Sequence, residues 1–138
     1  MAPILKPRRR PGAAILEFAL IAPLLLLLTF ALIEYGWLFL KAEETNSAAR
    51  HGARLAILPD ATNAHVLASI AGIMDTAGMG DSGYSVTFSP GDVSTVPPGE
   101  TVTVEVSVLY GNVAIMGLAM VPVPGTLRAS VSMAKEGP

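Results

Sequence analysis

One acid interrupts a long apolar run. Residues 13–33 read AAILEFALIAPLLLLLTFALI, and 18 of these 21 are apolar, the exceptions being Glu17, Pro23 and Thr29. A carboxylate inside an apolar membrane helix costs about 2.5–3.5 kcal/mol at the bilayer centre and less near its edge, so such acids usually have a partner. Glu17 is therefore a candidate for holding a cation. Elsewhere the chain offers little to a catalyst. It contains no ordered Ser/His/Asp set, no P-loop, no GxGxxG and no metal-ligand spacing. The absence of Cys excludes a disulfide-stapled fold, a thiolate zinc site and a cysteine nucleophile. His65 has no second ligand at a useful spacing and reads as a surface histidine. Asp60, Asp75, Asp81 and Asp92 sit beside turns or helix ends, where Asp is favoured for backbone reasons. The expectation is a protein without enzymatic activity and without a cofactor or metal.

The apolar run also explains the composition. The 138 residues are 51% hydrophobic and 14% charged, against the roughly 25% charged residues of soluble domains. A helix over residues 13–33 spans roughly 31 Å at about 1.5 Å per residue, the thickness of a bilayer's hydrocarbon core. Residues 1–12 carry Lys6, Arg8, Arg9 and Arg10 and no acid, whereas the remainder has five basic and eleven acidic residues. Basic residues beside an apolar span stay cytoplasmic. The expected topology is single pass, N-terminus inside and C-terminal bulk exported, with the lipid bilayer as one partner. Net charge −2 excludes a broadly basic surface for nucleic acid. A cleaved secretory signal would have a shorter apolar core and a small-residue cleavage site, and a twin-arginine signal would not continue with Pro11-Gly12. A plain signal anchor fits the span and leaves Glu17 unexplained.

Glu17 follows a basic leader, Gly12 and four apolar residues. This arrangement resembles the processing site of type IV pilins and pseudopilins. More specifically, Gly12–Leu58 resembles the TadE-like family of the tight-adherence (Flp) pilus systems. The shared features are Gly12-Ala13 with Glu17-Phe18, an early Ala22-Pro23, then Glu34-Tyr35-Gly36, and Ala48-Ala49-Arg50-His51-Gly52-Ala53-Arg54. A strand ending in Tyr110 and a last strand closing on Glu136 are also family-like. The resemblance implies cleavage between Gly12 and Ala13 by a prepilin peptidase in the bacterial inner membrane. It also implies assembly with other pilin and pseudopilin subunits. Glycine lets a peptidase approach the backbone closely. Cleavage would place an ammonium on Ala13, and the Glu17 carboxylate of a neighbouring subunit would be its counter-ion at low dielectric. Related pilins often carry Tyr after the processing-site Glu; here it is Phe18, which removes any role for a hydroxyl. The alternative is an uncleaved, membrane-anchored envelope protein whose exported domain binds other proteins.

These residues need a scaffold. The expected divisions are a leader over 1–12, a transmembrane segment over 13–33, a helix leaving the membrane over 34–58, and an exported α+β domain over 59–138. Tyr35 and Trp37 are placed for the lipid–water interface. Ala42, Ala49, Ala53 and Ala56 share one helix face and permit close packing. Arg50 and Arg54 are i,i+4 neighbours suited to a solvated or docking face. Pro59 ends the helix. A second helix is expected over 61–77, capped by Thr62 or Asn63, with an apolar stripe of Val66, Leu67, Ile70, Ile73 and Met74. Strands are expected at 84–88, 101–110 and 127–133. In the second, Val102, Val104, Val106 and Val108 face one way. Residues 112–120 read as a short helix or loop packing over the sheet. The fold class is α+β and pilin-like: a long N-terminal transmembrane helix, a second helix and a small antiparallel sheet.

Overall fold

A computed structural model describes residues 11–117 and 120–137. Helix α1 runs without a break from Pro11 to Ala56. Tertiary contacts divide the chain into Met1–Ile33 and Glu34–Pro138. In the first unit α1 is long and apolar enough to cross a membrane, and the protein buries none of that stretch. The helix passes through Pro23. A proline there cannot donate a hydrogen bond to the Ala19 carbonyl, a loss membrane helices tolerate because neighbouring groups re-satisfy the acceptor.

The second unit combines the rest of α1 with helix α2 (Asn63–Thr76) and strands β1 (Ser85–Ser89), β2 (Thr101–Leu109) and β3 (Thr126–Ala134). The sheet order is β1-β2-β3, and both pairings are antiparallel. The α+β layout expected from the sequence is the one observed. Alternation in β2 sends Val102, Val104, Val106 and Val108 inward, the first three fully buried. Each such valine contributes about 1.5–3 kcal/mol through removal from water. The opposite face is polar. Ser85 bonds Ser107 and Thr103 bonds Ser132 through their hydroxyls, and Glu105 pairs with exposed Arg128 at 3.4 Å.

The small-residue face of α1 packs in this core. Ala48, Ala49, Ala53 and Ala56 are fully buried. Gly52 marks the tightest approach: a Cβ there would lie 2.6 Å from Ile70 Cδ1 and 3.4 Å from Val104 Cγ1. One residue thus faces both α2 and β2. Thr62 caps α2 by accepting from the His65 N–H. Val66, Ile70 and Met74 form its buried stripe, with Ile73 packed at the edge. Leu67, expected on that stripe, is 41% exposed; the 3.6-residue period turns it past the edge of the core. Helix α1 ends at Ala56, ahead of Pro59, and residues 57–60 turn.

The end of α1 is closed by Lys135. Its buried ammonium donates to the carbonyls of Ala56 and Val93, each at 3.1 Å, and the next residue's N–H donates to Ile57 O at 2.8 Å. A helix C-terminus leaves carbonyls without partners and carries negative partial charge, so a cation suits it. Lys135→Met keeps the apolar stem and removes the donors. The full chain carrying it in detergent micelles is expected to unfold with a stability about 1–3 kcal/mol lower, read from its urea midpoint. An unchanged midpoint would show that water replaces the ammonium at no cost.

Candidate functional site

The residues singled out by sequence fall into two separate places. In the first unit, Gly12 lies in the opening turn of α1, and a Cβ built on it would meet nothing within 4 Å. Ala13, Glu17 and Phe18 follow on the same helix, all exposed. Phe18 is 69% exposed, with Ile15, Leu16 and Leu20 at 70%, 74% and 81%. Among the described residues no cation pairs with Glu17. Lys6, Arg8, Arg9 and Arg10 lie outside the described residues.

In the second unit, Glu34-Tyr35-Gly36-Trp37 forms a knot with the β2–β3 connection. Glu34 is 1% exposed. Its Oε1 accepts from the Tyr110 hydroxyl at 2.7 Å, and its Oε2 accepts from the Met116 N–H at 3.0 Å. The Tyr35 hydroxyl donates to Pro122 O at 2.8 Å, and the Trp37 indole N–H donates to Val113 O at 2.6 Å. Burial pushes the Tyr110 phenol well above the usual range, and the hydrogen bond to Glu34 and its negative charge add to this. The phenol therefore remains a donor. Gly36 is exposed, and a side chain there would find open space.

Lys41, one turn beyond Trp37, is also buried. Its ammonium donates to Ala77 O at 2.6 Å and to Glu44 at 2.9 Å, and lies 4.6 Å from the centroid of the Trp37 ring. It holds the end of α2 against α1. Sequence reasoning placed Tyr35 and Trp37 at a lipid interface and treated Glu34 as a motif position. It gave Lys41, Tyr110 and Lys135 no bonding role. In the structure the polar ends of Tyr35 and Trp37 hold a loop.

The Ala48–Arg54 motif separates into two faces. Ala48, Ala49, Gly52 and Ala53 are buried, while Arg50, His51 and Arg54 are exposed. Neither arginine has an acidic partner among the described residues. The motif is thus a packing face backed by a basic, solvated one. Among the described residues no group of acids and histidines could hold a metal ion.

This pattern of buried small residues, exposed arginines and a buried Glu34 lies in the stretch matched by a protein-family model. Residues 12–54 match the family described as TadE-like protein. This stretch of the chain is similar to that family. The match covers less than a third of the 138 residues. It ends near the end of α1, so the matched segment supplies the apolar helix and most of the α1 face on which the sheet packs. No curated protein and no solved structure matches the chain. Its apolar helix fits a single-pass membrane anchor.

Proposed function

We propose that the protein is a minor pilin-like structural subunit of a tight-adherence pilus, cleaved after Gly12 by a prepilin peptidase and acting in pilus assembly with other pilin and pseudopilin subunits. The observation that carries the reading is Glu17: an exposed acid four residues past Ala13 on a helix that the protein itself leaves uncovered. An isolated carboxylate in a bilayer is costly, and a paired one much less so. After cleavage, the Ala13 ammonium of one subunit supplies the partner for Glu17 of another. The pair fixes the axial register of neighbouring helices, as buried polar groups do in coiled coils. The inner membrane holds the subunit before assembly, with its leader in the cytoplasm and the α+β unit outside.

Intact-mass spectrometry of the protein from pilus-producing cells tests the reading. The mature chain is expected to begin at Ala13, and Gly12→Ala to retain the leader and migrate more slowly on a gel. A full-length 138-residue chain in those cells would reject cleavage in favour of the uncleaved anchor. Glu17→Ala should still be cut yet enter pili poorly, by an order of magnitude or more if a buried charge is left unpaired at a cost of about 3 kcal/mol or above. Normal incorporation of that variant would remove the counter-ion role.

A further inference from the structure

The second unit is acidic, and most of its cations are already in use. Residues 34–138 carry five basic and ten acidic side chains. Three of the five cations are committed: Lys41 to Glu44 and Ala77 O, Lys135 to Ala56 O and Val93 O, and Arg128 to Glu105. Arg50 and Arg54 remain, both exposed and neither with an acidic partner among the described residues. They are i,i+4 neighbours on one face of α1, with exposed His51 beside them. Like charges at that spacing work against a helix. The C-terminus of α1 does not require them, because the Lys135 ammonium already closes it.

The unit's acids include a matching pair. Asp75 near the end of α2 and Asp81 in the turn after it are exposed and line one recess with Ser82 and Asn112. Neither has a cationic partner among the described residues. A side chain on Gly80 would overlap the Asp75 carboxylate, so glycine there gives the acid its room. The arginines of the same copy do not reach this recess. Ala77, two residues past Asp75, is bonded to Lys41 of α1. Arg50 and Arg54 lie nine and thirteen residues beyond Lys41, about 14–20 Å along the helix, a gap longer than an arginine side chain. A partner for the arginines must therefore bring acid to them. A neighbouring copy brings its aspartates on the patch's own scale. An anionic bilayer or a nucleic acid would instead meet the acid excess that surrounds the two arginines.

We propose that the Arg50–Arg54 face of α1 docks a second copy of this chain, receiving that copy's Asp75 and Asp81 carboxylates. Each guanidinium can hold a carboxylate through two parallel N–H bonds. The two patches are separate places on one unit, so the contact is heterologous. A copy offers its arginines to one neighbour and its aspartates to another, and the array stays open or closes into a ring. Charge pairs of this kind set partner choice and register more than affinity. The contact goes beyond the subunit reading above and involves neither cleavage nor Glu17.

The chain has no native Cys, so single cysteines report contacts between copies. Full chain carrying His51→Cys is mixed with full chain carrying Thr76→Cys in nonionic detergent micelles, and a short bismaleimide is added. The 51–76 heterodimer is expected to exceed, by about fivefold, the 51–130 heterodimer made with Ser130→Cys on the outer face of the sheet. Raising salt from about 0.05 M to about 0.5 M should remove most of that excess. Arg50→Glu with Arg54→Glu on the His51→Cys copy should abolish it, and Asp75→Arg with Asp81→Arg on the Thr76→Cys copy should then restore it. All four positions are exposed, so the reversed copies should keep their urea midpoints. Where one does not, Arg50→Gln with Arg54→Gln or Asp75→Asn with Asp81→Asn takes its place and should lower the excess severalfold. Equal 51–76 and 51–130 yields overturn the proposal, as does an excess that survives loss of the charges, or one that is lost by reversal and not restored. In phosphatidylcholine vesicles, shielding of the position 51 thiol from a water-soluble maleimide only when phosphatidylglycerol is added, with no cross-link to position 76, gives the patch to lipid headgroups and also overturns it.

Discussion

Glu34→Ala is expected to destabilise the second unit by about 3 kcal/mol and to release the β2–β3 loop. The substitution removes a buried acceptor that serves two donors, the Tyr110 hydroxyl and the Met116 N–H. Hydrogen bonds to charged groups contribute about 1.5–3 kcal/mol each, and an orphaned buried donor adds its own desolvation cost. Glu34→Gln should cost less, about 1 kcal/mol. Its amide oxygen can accept from Met116, and its NH₂ can donate if the Tyr110 hydroxyl turns to accept. The single tryptophan makes the outcome visible. Trp37 donates to the same loop, so its emission should shift to the red in Glu34→Ala at temperatures where the sheet is still folded. Wild-type emission and stability in Glu34→Ala would mean that water takes over both donors. The linked titration has a definite sign. The Tyr110 phenol is raised in the folded protein above its ordinary value of 10.0, so below pH 10 it leaves stability unchanged. Above pH 10 the unfolded chain ionises this phenol first, and stability falls as pH rises. Tyr110→Phe should make that alkaline fall shallower in urea titrations of the full chain in detergent.

Gly52→Leu should be the more damaging of two substitutions at the helix crossing. Even one carbon there would lie 2.6 Å from Cδ1 and 2.9 Å from Cγ1 of Ile70, which is fully buried. Overpacking of this kind costs about 1–3 kcal/mol, and more when the added group is large. Gly52→Ala recovers up to about 1 kcal/mol from better helix propensity. The alanine variant should therefore lose no more than about 2 kcal/mol, and the leucine variant should unfold at markedly lower urea. The mechanism has its own check. Ile70→Val removes Cδ1, so Gly52→Ala combined with Ile70→Val should be more stable than the sum of the two single losses implies. Simple additivity would show that the clash is relieved by backbone movement instead.

Period-two alternation was enough to place β2 and β3, because each strand covers one face of the core and exposes the other. The two helices were legible from Pro59 as a stop, Thr62 as a cap and the 3.6-residue stripe. What escaped was buried polar chemistry, and its signal was present. Lys135 continues the inward positions Leu127, Ala129, Val131 and Met133, so an alternation read two residues further places a lysine inside. Glu34, Leu38, Lys41, Thr45, Ala49, Gly52 and Ala56 fall on one helical stripe, so the same periodicity that identified the alanine face also points Glu34 and Lys41 inward. Charged residues are discounted on such stripes because they are rarely buried unless paired. Their partners, Tyr110, Ala77 O, Val93 O and the Met116 N–H, lie some 35 to 80 residues away or on backbone whose path no local pattern reveals. The motif's meaning was similarly hidden. Small residues at Ala48, Ala49, Gly52 and Ala53 permit close packing of any kind, and only the fold shows that the sheet and α2 take that face.

Lys135 has a consequence for the order in which the protein can be made. It joins β3 to Val93 and to the end of α1, and Glu136 joins β3 to Ile57. These closures bridge 42 to 79 residues of chain, and non-local closures of that kind form late. A growing polypeptide cannot complete them until residue 136 has been added. Until then α1 lacks its terminal cation, and before β3 is made β2 is paired only by β1, over Thr103–Ser107. The second unit therefore stays open while the chain is being made, and it locks only after its last strand is complete.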